Sequence, residues 1–119
     1  MTYQMTDLMA LARSAQAIFE QFSQDQVDAC VRAVGKVVFD NAETLAIDAV
    51  AETGMGNVRD KTLKNQGKPR NVWNHLKDKK SIGVIEGKNA QGIITVAKPV
   101  GVVGAVTPTT SPTMTIMCN

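Results

Sequence analysis

Aromatic side chains make up only 4% of the 119 residues, so any core must be aliphatic, built from Val, Ile, Leu, Ala and Met. Histidine occurs once, as His75, and cysteine twice, as Cys30 and Cys118, with no metal-ligand spacing between them. That supply excludes a zinc set of the usual kind, and no metal site is expected. Free thiols suit a reducing compartment, which makes a cytoplasmic protein the expectation. Long apolar runs are missing too. Nothing approaches the roughly 20 apolar residues of a membrane span, so no membrane partner is expected. The first residues carry Asp7 and Arg13 and predict no signal peptide. The net charge is only +2, too little to argue for nucleic acid.

The charge is unevenly placed, however. Residues 1–56 hold three basic and eight acidic side chains, whereas residues 57–80 hold eight basic and two acidic ones. A local positive field of this kind attracts polyanions, but a solvated helical face is the commoner explanation.

Over residues 4–22, Met5, Leu8, Met9, Ala12, Ala15, Phe19 and Phe22 recur at spacings of three and four, one face of an amphipathic helix. Ser23 followed by Gln26 predicts a capping box opening a second helix, whose stripe is Val27, Cys30, Val31, Val34 and Val38. Cys30 lies inside that stripe and reads as a packing residue. Asn41 is placed to cap a third helix bearing Leu45, Ala49 and Val50 and ending at Gly54. Asn57 then caps a fourth, with Asp60 in its first turn. Gly67 and Pro69 predict a break or kink, or a new short helix starting at Pro69 with Val72, Trp73 and Leu76 on one side. His75 reads as a surface histidine.

Beyond Lys80 the period changes. Ser81–Glu86 and Gly92–Ala97 predict two short strands joined by the turn-forming run Gly87-Lys88-Asn89-Ala90-Gln91. Val100–Val106 is nearly continuous in apolar residues and predicts a strand covered on both faces, as in a parallel sheet flanked by helices. Ser111 as N-cap and Pro112 at the first helical position then open a helix. A parallel core strand needs parallel neighbours and long crossovers, which points to the N-terminal part of a larger α/β protein. The glycine fingerprint of dinucleotide-binding folds is absent, since Gly101 and Gly104 give GxxG only.

Three stretches carry a resemblance: AETGMGNVRDKTLKN (51–65), WNHLKDKKSIGVI (73–85) and GIITVAKPVGVVGAVTPTTSPT (92–113). In this order and spacing they resemble the N-terminal part of the CoA-acylating aldehyde dehydrogenases, including the aldehyde dehydrogenase half of bifunctional aldehyde–alcohol dehydrogenases. Within the first stretch, Asp60, Lys61, Lys64 and Asn65 read as residues that tie the helical layer to the rest of the domain. Ser111 departs from the family, which commonly has Asn there. The fold implied is α/β and aldehyde-dehydrogenase-like. It is an incomplete N-terminal part of a Rossmann-like NAD-binding domain, with four to five helices, a short strand pair and a first core strand. A helical layer would span 4–79, the strands 81–106 and the start of a helix 111–119, with the catalytic domain outside these residues.

The resemblance also implies chemistry. A cysteine attacks the aldehyde to give a thiohemiacetal, hydride passes to NAD, and CoA releases the thioester. The catalytic thiol belongs to a later segment in this family, so neither Cys30 nor Cys118 is expected to be the nucleophile. Thr107, Pro108, Thr109 and Thr110 match the family's cofactor-side turn at the C-terminal end of a sheet strand. By its flanking prolines, Thr110 matches the place where hydrolytic aldehyde dehydrogenases carry an oxyanion-stabilising Asn. The same hydroxyls could instead serve only the turn and the helix start. Acetaldehyde is the expected substrate, with sulfoacetaldehyde as an alternative. NAD and CoA are the implied cofactor and co-substrate, and a homo-oligomer is the implied assembly of the full-length enzyme. Two other readings compete: a small basic helical module binding nucleic acid through 57–80, and a non-catalytic oligomerisation element using Gly92–Ala97 as an edge.

Overall fold

A computed structural model describes residues 4–119 of the chain, which form two compact units. One unit comprises the described residues up to Val27 together with Lys80–Gly104, and the other comprises Asp28–Lys79 and Ala105–Asn119.

In the first unit, α1 runs from Met5 to Phe19. It stops three residues earlier than the apolar spacing predicts. Glu20 and Gln21 form a turn, and the Phe22 N–H donates to the Phe19 carbonyl at 3.0 Å. The Phe19 and Phe22 rings meet at 5.1 Å between centroids, tilted by 53°. Much of the predicted stripe stays exposed, with Met5, Leu8 and Met9 all open. An amphipathic stripe states what a helix is made to bury, and a two-stranded ladder offers little surface for it.

The capping box forms as the sequence predicts. The Ser23 N–H donates to Gln26 Oε1 at 2.9 Å, and the Gln26 N–H donates to Ser23 Oγ at 3.4 Å. It opens α2, Gln24–Asp40. Gln24 also holds the approach to the strands, accepting from the Ser81 N–H at 2.8 Å. Strands β1 (Gly83–Glu86) and β2 (Thr95–Ala97) pair antiparallel, with Gly83 opposite Ala97 and Glu86 opposite Thr95. The register shifts between Val84 and Glu86, a bulge. The connection is closed by Asn89, whose Oδ1 accepts from the backbone N–H of Gln91 and of Ile93 at 3.0 and 2.9 Å.

The second unit holds the best-buried side chains. On α3 (Ala42–Thr53), Ala42, Ala46 and Ala49 form a buried stripe at spacings of four and three. Alanines at those positions let α4 (Val58–Leu76) approach closely. Gly54 ends α3 in the left-handed region at φ 64°, its N–H donating to the Val50 carbonyl at 2.8 Å. Asn57 caps α4 as predicted, its side chain accepting from the Asp60 N–H at 2.9 Å. Val38 from α2 and Met114 from α5 (Pro112–Cys118) complete the buried apolar set.

Four expectations need correction. Asn41 does not cap α3 with its side chain; its Nδ2 turns back and donates to the Val37 carbonyl at 2.8 Å, serving the end of α2. Pro69 neither ends nor restarts a helix, for α4 continues through it. Proline there gives up the N–H that the Asn65 carbonyl would otherwise receive. The ring is fully buried, against Gly35 of α2, where a Cβ would lie 3.8 Å from the Pro69 Cβ. That burial offsets the lost bond. Third, Ser111 precedes α5 but makes no side-chain capping bond.

The fourth concerns Val100–Val106, which forms no strand, with Val100 and Val106 about nine-tenths exposed. A strand exists only through its ladder, and a segment made for burial on both faces needs neighbours on both edges. Sequence can specify such a segment's preference without supplying its partners.

Candidate cofactor-side turn

The segment Thr107–Thr110 lies between the irregular Val100–Val106 run and α5, and all four residues are exposed. Proline at 108 fixes one φ, and the Ser111 N–H donates to the Pro108 carbonyl at 3.2 Å, closing a turn. The Ser111 carbonyl then receives the Thr115 N–H at 3.2 Å, starting α5. Backbone bonding alone therefore bends the chain sharply between Thr107 and Pro112.

Two lysines of α4 hold this bend from across the unit. Lys61 Nζ donates to the Thr110 carbonyl at 3.3 Å, and Lys64 Nζ donates to Ser111 Oγ. They stand three residues apart, which places both ammonium groups on one side of α4. Gly56 makes room for the first: a Cβ at Gly56 would stand 3.2 Å from Lys61 Cε, and its φ is 75°. Asn65, one residue on, is 4% exposed and donates through Nδ2 to the Ala42 carbonyl at 3.0 Å. Lys61, Lys64 and Asn65 thus tie α4 to the turn and to α3, the structural role expected of them, whereas Asp60 bonds to Asn57 at the start of its own helix.

The crevice where these groups meet, bounded by Lys61, Asn65, Thr110 and Met114, has a volume of about 10 Å³. That is space for one water, not for a cofactor ring. The turn can offer one wall of a site: exposed hydroxyls on Thr107, Thr109 and Thr110 that both donate and accept. The Thr110 carbonyl accepts from Lys61, and the residue's hydroxyl can still donate.

The other chemically capable side chains lie apart from this turn. Cys30 is half-buried within α2, and Cys118 is exposed at the end of α5. Exposed His75 is within hydrogen-bonding distance of the Lys79 ammonium through Nε2. Among the described residues no three His, Cys, Asp or Glu side chains gather into a metal-binding group, and no helix is long and apolar enough to cross a membrane. The ties from Lys61 and Lys64 are what sequence reasoning located only as a motif block. Their acceptors stand 49 and 47 residues further along, with no local signal linking them.

Comparison with known proteins decides the ancestry. The succinate-semialdehyde dehydrogenase (acetylating) of Clostridium kluyveri is 50% identical over 113 residues, 95% of this chain and 25% of that protein. The sulfoacetaldehyde dehydrogenase (acylating) of Bilophila wadsworthia is 44% identical over 93% of this chain. The chain is homologous to part of the acylating aldehyde dehydrogenases. The bifunctional aldehyde-alcohol dehydrogenase of Escherichia coli is also similar, at 38% identity over 94% of this chain and 13% of that protein. Among solved structures, the acetylating aldehyde dehydrogenase of Geobacillus thermoglucosidasius matches 68% of the chain, with a TM-score of 0.65 and 40% identity. The probable aldehyde dehydrogenase of Listeria monocytogenes matches 76%, with a TM-score of 0.71 and 34% identity. Those matches cover 18% and 20% of the two solved chains. No protein-family model matches the chain. The chain spans about a quarter of the length of the Clostridium kluyveri and Bilophila wadsworthia enzymes. Among the described residues, five helices and one antiparallel strand pair accord with the N-terminal part of that fold.

Proposed function

We propose that these residues form the N-terminal portion of an NAD-dependent, CoA-acylating aldehyde dehydrogenase, a partial NAD-binding domain whose helical layer spans 4–79. One observation carries the reading. The turn Thr107–Ser111 is held to α4 by two lysines, in a chain 50% identical to an enzyme named as an acetylating dehydrogenase.

In this reading Thr107, Pro108, Thr109 and Thr110 form one wall of the cofactor site, with exposed hydroxyls and a fixed backbone bend. NAD held against that wall would supply a hydride acceptor for the aldehyde carbon. The chain's own part is positional. Lys61 and Lys64 set the turn, Pro108 limits its backbone freedom, and the Thr110 hydroxyl donates toward the reacting carbonyl oxygen as charge develops. The nucleophilic thiol is neither Cys30, packed into α2, nor Cys118, at the end of α5. Residues 1–119 are therefore inactive alone. The full-length enzyme is cytoplasmic and homo-oligomeric in the same reading.

The relatives' names point to the substrate class. Succinate semialdehyde and sulfoacetaldehyde each carry an anionic group beyond the aldehyde. A short aldehyde, plain or anionic, is the proposed substrate. The test is NADH absorbance with the polypeptide encoded by the complete reading frame, using acetaldehyde, sulfoacetaldehyde and succinate semialdehyde with and without CoA. CoA-dependent turnover supports the reading, and turnover indifferent to CoA places the enzyme among hydrolytic dehydrogenases instead.

A further inference from the structure

A second hollow lies in the same unit, between α2 and α4, and shares no lining residue with the crevice at the turn. Its volume is about 340 Å³, within the range of small-molecule sites. The floor is Gly35 and the buried ring of Pro69. On α2 the walls are Arg32 and Phe39, one helical face; on α4 they are Arg70 and Trp73. Lys36 and Asp40 also border the hollow, but they pair with each other and cancel. Among the described residues neither Arg32 nor Arg70 makes an ion pair or hydrogen bond. The hollow thus combines two uncommitted guanidinium groups with a half-buried indole and a partly exposed phenyl ring.

Each component selects a ligand feature. Guanidinium forks match phosphate oxygens in pairs and hold that charge against water better than ammonium groups do. Indole and phenyl faces accept a flat, electron-poor ring by stacking. The glycine floor admits the ring close to the backbone. A carboxylate alone would satisfy the arginines and leave the aromatic wall unused; a neutral ring would do the reverse.

We propose that this hollow binds a nucleotide, its base against Trp73 and Phe39 and its phosphate on Arg32 and Arg70. The proposal is independent of the dehydrogenase reading, because it uses none of the residues assigned to the turn.

Trp73 is the only tryptophan, so its fluorescence reports this site directly. The probes are AMP, adenosine and inorganic phosphate, each titrated into the chain. Saturable quenching by AMP is expected, with adenosine and phosphate each at least about tenfold weaker. R70Q should weaken AMP by about tenfold, and the R32Q/R70Q pair by more, with Trp73 emission in the free variants unchanged. Both arginines are exposed, so loss of fold is not expected from either change. No saturable quenching by AMP overturns the proposal, as does equal AMP affinity in the double variant. Quenching by an acidic peptide where AMP gives none also overturns it and makes the hollow a protein-docking surface.

Discussion

Asn65→Ala is the most informative single perturbation of the second unit. The side chain is 4% exposed and spans from α4 to the first residue of α3, donating to the Ala42 carbonyl at 3.0 Å. Truncation removes that bond, which contributes about 1 kcal/mol net, and opens a small void beside Ala42. The sum is about 2 kcal/mol, or a fall of about 1–2 M in urea midpoint for a chain of this size. Trp73 lies further along the same helix and is half-buried, so its emission follows the transition. Asn65→Asp is the sharper arm. It has the same shape, but its ionised carboxylate has no proton to offer the Ala42 oxygen and is buried beside it. Burial raises that carboxyl's folded-state pKa above its unfolded value of about 3.9. The folded state of the variant therefore holds the proton more tightly. Its deficit against the parent must shrink as pH falls through the raised folded pKa toward the unfolded one. Equal midpoints for the parent and Asn65→Ala, or an Asn65→Asp deficit that does not change with pH, refutes the bridging role.

The remaining predictions concern caps and the turn. Gly54→Ala forces a side chain into φ 64° and should cost about 1–2 kcal/mol by urea titration, with no new clash since nothing lies within 4 Å. Asn57→Ala removes the acceptor for the Asp60 N–H and should cost about 1 kcal/mol, while Asn57→Ser should recover most of it. Lys64→Met keeps the aliphatic stem but loses the bond to Ser111, so amide hydrogen exchange at 111–115 should quicken while that of α3 stays unchanged. In the full-length enzyme, Thr110→Val should lower kcat/KM by at least about tenfold and Thr110→Ser should restore it. Equal activity in both variants leaves the Thr110 hydroxyl no part in the reaction.

What could be read from sequence divides by the range of the interaction responsible. Ser23 with Gln26, Asn57 with Asp60, Gly54 and Asn89 are each legible because donor and acceptor lie within four residues, and the backbone geometry follows. Asn41 shows the limit even there. The residue can bond backward or forward, and the end of α2 takes it. Pro69 misleads because the local cost of a helical proline is fixed, whereas its compensation depends on Gly35, 34 residues earlier, admitting the ring. Val100–Val106 has strand chemistry and no strand, since a ladder is a property of pairs. The turn has the same lesson in a more useful form. Its hydroxyl and proline pattern is local and legible as a family resemblance, but its anchoring comes from Lys61 and Lys64 through contacts that no spacing rule reaches. Ser111 gives Lys64 its acceptor in that anchor. A lysine ammonium needs an acceptor at that place, and a serine hydroxyl and an asparagine amide oxygen each provide one. Ser111→Asn should therefore alter the length of the acceptor arm and keep the anchor, and be felt in the reach of the Lys64 side chain more than in the course of the turn.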